Sequence, residues 1–78
     1  MTSPRTLRRF VVCLSNRRYP ASLERRKLYV ALKDASAERV GMLRVIDESG
    51  EDYLYPRDRF AEVSLPAKAE RILEANAS

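Results

Sequence analysis

The first stretch of this chain in which apolar side chains run together is Phe10-Val-Val-Cys-Leu14, which stops at the turn-forming pair Ser15-Asn16. Its β-branched and aromatic content predicts a strand. Residues 15–27 (SNRRYPASLERRK) show no apolar period and read as a long loop. Pro20 lacks a backbone donor there and biases Tyr19 toward extended geometry. A short helix over Ala21–Lys27 is the competing reading, but no Glu or Gln stands three residues after Ser22 to complete a capping box. Leu28–Leu32 predicts a second strand, with Leu28, Val30 and Leu32 on one face and Tyr29, Ala31 and Lys33 on the other. If the aliphatic set faces the core, Tyr29 points outward. Asp34–Val40 is a polar connection with room for one helical turn, closed by Gly41. Met42–Ile46 predicts a third strand. Arg44 lies at its middle, so Leu43 and Val45 point inward, while Met42 and Ile46 are partly covered on the other side. Asp47–Asp52 is a turn in which Gly50 is free to take positive φ. Tyr53–Tyr55 forms a fourth strand, Pro56–Arg59 one tight turn of 3₁₀ type, and Phe60–Leu65 the last strand. Pro66 suits the first position of a helix that runs from Ala67 to Ala77. That helix carries Ala69, Ile72, Leu73 and Asn76 on one side and is too short to persist alone, so it docks or frays.

Five short strands, a long first loop, tight later turns and a one-turn element before the last strand predict a mainly β fold. The specific expectation is a small five-stranded SH3-like barrel with a short C-terminal α-helix. Residues 1–8 read as a flexible basic arm, 9–65 as the barrel and 66–78 as the helix and tail. The run Tyr53-Leu-Tyr-Pro56 followed by Phe60-Ala-Glu-Val63 resembles the end of an SH3 domain, where strand, proline, short 3₁₀ turn and aromatic-led strand follow in that order. Two departures stand out. The chain has no Trp, which the peptide groove of SH3 domains uses, and its long loop is basic where theirs tends to be acidic. The resemblance therefore implies a fold rather than recognition of proline-rich peptides. A narrower likeness lies in Tyr19-Pro-Ala-Ser-Leu-Glu24, Arg26-Lys-Leu-Tyr29 and Arg44 through Pro56. These look like a family of short, uncharacterised bacterial proteins, which implies a free-standing bacterial domain and no particular activity.

Composition narrows the function classes. At 78 residues there is material for one modest core. Hydrophobic residues at 45% and charged residues at 33% are the balance of a folded domain, not a disordered one. Uninterrupted apolar runs reach only five residues, as at Phe10–Leu14, too short for a membrane span or a signal-peptide core. Cys13 is the single cysteine, so no internal disulfide forms, and the expected compartment is a reducing cytoplasm. Without histidine or a cysteine pair there is no zinc site and no His-dependent triad. Gly41 and Gly50 are the only glycines, which leaves no Gly-rich phosphate loop. The expectation is a non-enzymatic module without a cofactor.

The net charge of +4 conceals a strong asymmetry. Residues 1–33 carry nine basic side chains against one acid, and residues 34–78 carry six against ten. The leading candidate site is the basic loop: Arg17, Arg18, Tyr19, Arg25, Arg26 and Lys27. Cations interleaved with an aromatic ring are what a single-stranded nucleic acid needs, with phosphates neutralised and a base free to stack. An acidic protein is the other anionic partner that such a loop suits. The bland alternative is a solvated surface whose basic and acidic parts meet within the fold. A rival of another class is a protein-interaction domain using exposed Tyr29, Met42 and Ile46 or a free strand edge. Tyr53 and Tyr55 share one strand face opposite Leu54, and alternation alone does not say which face is inward. The acidic run Asp47, Glu48, Glu51, Asp52 lacks the spacing of a calcium loop and reads as a solvated hairpin turn, able to seat Arg17 or Arg26 of another copy. Cys13 reads as a small buried hydrophobe. Ser22 and Lys27 are the only hint of a Ser–Lys pair, and their spacing does not recommend one. The partner expectation is thus nucleic acid or an acidic protein, no membrane, and a monomer or weak self-association.

Overall fold

A computed structural model describes residues 8–77, with side chains as far as Ile72. Of the basic arm expected over residues 1–8, all but Arg8 lies outside the described residues. The chain forms β1 (Arg8–Cys13), β2 (Leu28–Leu32), α1 (Ala35–Arg39), β3 (Met42–Ile46), β4 (Asp52–Pro56), a 3₁₀ turn (Arg57–Arg59), β5 (Phe60–Val63) and α2 (Ala67–Ala77). β1 starts two residues earlier than the apolar run suggests, because Arg8 and Arg9 pair with Leu32 and Ala31. β5 ends at Val63 rather than Leu65.

The strands make one antiparallel sheet in the order β4-β3-β2-β1-β5. β4 and β5 do not pair, so the sheet is open at that seam and is not a closed barrel. Register decides the faces. Val11 opposes Tyr29 and Cys13 opposes Phe60, while Ala31 opposes Val45 and Leu43 opposes Tyr55. Residues opposed in this way share a side of the sheet. These eight, with Leu23 from the long loop, form the buried core cluster. Leu43 and Val45 point inward as expected, and Met42 and Ile46 are half-buried on the other side.

β2 is buried on both sides: Val30, on the face expected to point inward, is 5% exposed, but the core cluster takes the opposite face through Tyr29 and Ala31. Tyr29 is only 6% exposed and belongs to the core, whereas Leu28 is 36% exposed. Every residue of LYVAL is apolar, so alternation of polarity cannot choose a side. The tyrosine goes in because its ring fills the core while its hydroxyl reaches polar groups at the rim. Tyr55 is likewise buried, but Tyr53, on the same face, is 51% exposed because it lies toward the end of an edge strand.

Two capping devices shape the connections. The Asp34 side chain accepts the Ala37 N–H at 3.0 Å and opens α1. Gly41, at φ 78°, closes it by donating to the Glu38 carbonyl. Pro66 stands just before α2 rather than inside it, its carbonyl accepting the Glu70 N–H. None of the described side chains of α2 is buried, and Ile72 is 55% exposed. No helix among the described residues is long and apolar enough to cross a membrane.

Candidate functional site

The long loop between β1 and β2 is irregular, as its sequence predicts, and the short helix over Ala21–Lys27 does not form. It is nevertheless tightly held. Leu23 is fully buried and anchors the loop to the core. The Asn16 side-chain amide donates to the Leu23 carbonyl at 3.1 Å, and the Leu23 N–H donates to the Tyr19 carbonyl at 2.9 Å. The loop's base is closed by two backbone bonds, Arg26 N–H to the Cys13 carbonyl and Cys13 N–H to the Lys27 carbonyl.

Two tyrosine hydroxyls then tie the loop to the β3–β4 turn. Tyr55 donates to Asp47 at 2.6 Å and lies 2.8 Å from the Ser22 hydroxyl. Tyr29 accepts the Glu24 N–H at 2.7 Å and donates to Glu48 at 2.5 Å. The Glu48 N–H adds a bond to the Ser22 carbonyl. The turn is therefore not simply a solvated hairpin: Asp47 is 7% exposed and structural. Burial works to raise its pKa, but bonds from the Ser49 hydroxyl and N–H and from Tyr55 outweigh it, and the carboxyl titrates below its ordinary value. Glu48 is held low by Lys27 first and Tyr29 second. Both tyrosines are pushed up, by burial first and then by their carboxylate partners.

This frame sorts the six candidate residues into two groups. Lys27 is committed: its Nζ lies 2.7 Å from Glu48 and over the Tyr29 ring, and the carboxylate raises its pKa. Tyr19 is half-buried, its ring edge-on to Tyr55 at 4.9 Å and under the Arg59 guanidinium at 5.9 Å. It props the loop instead of standing free as a stacking platform. Arg17, Arg18, Arg25 and Arg26 are exposed, and among the described residues none has a carboxylate within 4.0 Å. They occupy two turns of the one loop. Arg18 (φ 77°) and Arg26 (φ 72°) are in the left-handed region, which L residues with a full side chain rarely adopt. Arg25 and Arg26 also border a shallow groove of about 350 Å³, whose other walls are Val12, Cys13 and Leu14.

The rival set is dispersed. Tyr29 is buried and cannot serve an exposed surface, because its ring fills the core. Met42 and Ile46 remain half-exposed on the outer face, which also carries Leu28 and the 42%-exposed Leu54. Cys13 is fully buried, and burial raises its thiol pKa. Ser22 and Lys27 are engaged with different partners, Tyr55 and Glu48. Among the described residues no cluster of carboxylates and thiol could hold a metal ion.

Sequence reasoning missed Asp47, Glu48 and Arg59 as supports of the loop. A signal existed for the first: in Asp47-Glu-Ser49, an Asp two residues before Ser is the pattern of an Asx turn, which marks the carboxylate as engaged. Arg59 gave none, since its bonds to the Arg17 carbonyl and Ser15 hydroxyl span more than forty residues. No protein-family model, curated protein or solved structure matches this chain.

Proposed function

We propose that the protein is a non-enzymatic binding module that takes up single-stranded nucleic acid, in the first instance through phosphates, on Arg17, Arg18, Arg25 and Arg26. The observation that carries this reading is the contrast in pairing: four exposed guanidinium groups with no carboxylate within 4.0 Å among the described residues, on a loop anchored by the buried Leu23 and by backbone hydrogen bonds. Guanidinium forks suit phosphate oxygens, and a rigid display lowers the ordering entropy of binding. The exposed Leu14 and half-buried Val12 beside Arg25 and Arg26 offer a base an apolar contact next to the charge. With Tyr19 tucked in, backbone contact dominates and sequence preference is weak. As a scaffold we propose a partly open SH3-like barrel. Strand order β4-β3-β2-β1-β5 and the 3₁₀ turn before β5 support this.

The test is a titration with single-stranded RNA and with polyglutamate at several salt concentrations, followed by backbone amide shifts. Neutralising four phosphates gives a log–log salt slope of about −3 on a single strand. Shifts confined to residues 15–28 with RNA support the reading. No shift there at low salt, or equal response to polyglutamate, overturns it; the latter outcome favours an acidic protein as partner. A second reading, a protein-interaction domain, draws on the outward apolar residues Leu54, Met42 and Ile46.

A further inference from the structure

β4 is an edge strand, and its open side is chemically lopsided. The Asp47 N–H donates to the Glu51 carbonyl and the Arg57 N–H to the Gly41 carbonyl, so the odd-numbered residues along this strand turn their backbone groups toward β3. The even-numbered residues Asp52, Leu54 and Pro56 therefore aim theirs at the open side, where among the described residues no strand pairs. Tyr53 at 51% and Leu54 at 42% exposure are large apolar side chains on this unpaired edge. Unpaired edges are templates for strand addition unless something blocks them. Pro56 lacks an N–H on this side but keeps its carbonyl as an acceptor.

We infer that β4 pairs antiparallel with β4 of a second copy, around a two-fold axis at Leu54. The sequence Glu51-Asp-Tyr-Leu-Tyr-Pro-Arg57 is self-complementary in that register. Leu54 exchanges both backbone bonds with Leu54 of the second copy. The Asp52 N–H donates to the Pro56 carbonyl opposite, which is the one group Pro56 still offers. Glu51, exposed, stands across from Arg57 of the second copy, and Arg57 is exposed without a carboxylate within 4.0 Å among the described residues. The pair occurs twice by symmetry. Neighbouring registers lack this match. Centring on Tyr53 sets Glu51 against Tyr55 and Arg57 against Ser49, and centring on Asp52 sets the two carboxylates against each other. The occupant that fits the edge is thus another copy of this chain, and this association is independent of the arginine loop.

Sedimentation velocity over rising protein concentration tests it. The wild-type chain populates a dimer as concentration approaches millimolar. Leu54→Pro removes an N–H that β3 does not use, and weakens the dimer at least tenfold with the amide spectrum of the core retained. Glu51→Arg and Arg57→Glu each weaken it, and the double variant restores it. A chain that stays monomeric at millimolar concentration overturns the inference. So does a dimer indifferent to Leu54→Pro, or single charge reversals whose effects add without rescue.

Discussion

Arg44 and Arg26 are both arginines with accessible side chains, yet they sit in opposite situations. Arg44 is at the middle of β3, with Nε 2.8 Å from Asp34 and Nη1 3.1 Å from Asp52. The acid-rich second half of the chain reaches it because Asp34 caps the helix leading into β3 and Asp52 opposes Ile46 on the next strand. Arg26 sits in a turn in the left-handed region, has no carboxylate within 4.0 Å among the described residues, and borders the groove walled by Val12, Cys13 and Leu14. Arg9 resembles Arg44, being 2.7 Å from Glu38. Arg9 and Arg44 on the sheet are thus neutralised, while among the described residues the four on the loop have no carboxylate within 4.0 Å. A count of charges along the chain records the excess but not where it lies; the register of the strands determines that.

The contrast depends on the loop being held, and the largest effect comes from cutting its apolar anchor. Leu23→Ala removes a fully buried side chain and costs about 2–5 kcal/mol, enough to lower the thermal midpoint sharply in a domain of this size. An unchanged midpoint would show that the loop folds independently of the core. Tyr55→Phe comes next. It deletes the bond to Asp47, and hydrogen bonds to charged groups contribute about 1.5–3 kcal/mol. Denaturant unfolding measures it, and amide exchange across residues 16–24 should quicken.

The same tie makes the frame sensitive to acid. The folded pKa of Asp47 lies below its ordinary value, so its contribution is complete above the unfolded aspartate pKa of about 3.9. That contribution is lost as the pH falls through the folded value. Glu48 behaves the same way below its own unfolded value. Urea midpoints should therefore drop on acidification below about pH 4, and Asp47→Asn should flatten that drop. A wild-type midpoint level through this range would contradict the tie.

A smaller effect of opposite sign is expected at the turn. Left-handed geometry costs an L residue about 1–2 kcal/mol, and glycine gives back about 0.5–1 in chain entropy. Arg26→Gly should then raise stability by about 0.5–1 kcal/mol while weakening RNA binding. Stabilisation without loss of binding would remove Arg26 from the interface. Smallest of all, Arg44→Gln should barely move the melting temperature, because its ion pairs are solvent-accessible. It should leave RNA binding unchanged, and a fall in affinity would show that the sheet arginines share the work.

Much of the fold was legible in the chain. β2, β3 and α2 begin and end where apolar periodicity, Gly41 and Pro66 place them. The inward side of β2 was not legible, because an all-apolar strand has no polar face to reveal its orientation. The arginine site was half legible. Its charge density is written in residues 15–27, but Lys27 and Tyr19 are withdrawn by Glu48, Tyr55 and Arg59, residues far away in sequence that only folding brings near.

Positions 18 and 26 carry a bulky cation in a backbone shape that a side chain-free residue fits with less strain. A laboratory evolution campaign rewarding heat resistance alone would accumulate glycine at these two sites. If the proposed function holds, the survivors would be sturdier and progressively less sticky toward polyanions, and thermal robustness and polyanion capture would be set against each other at these two residues.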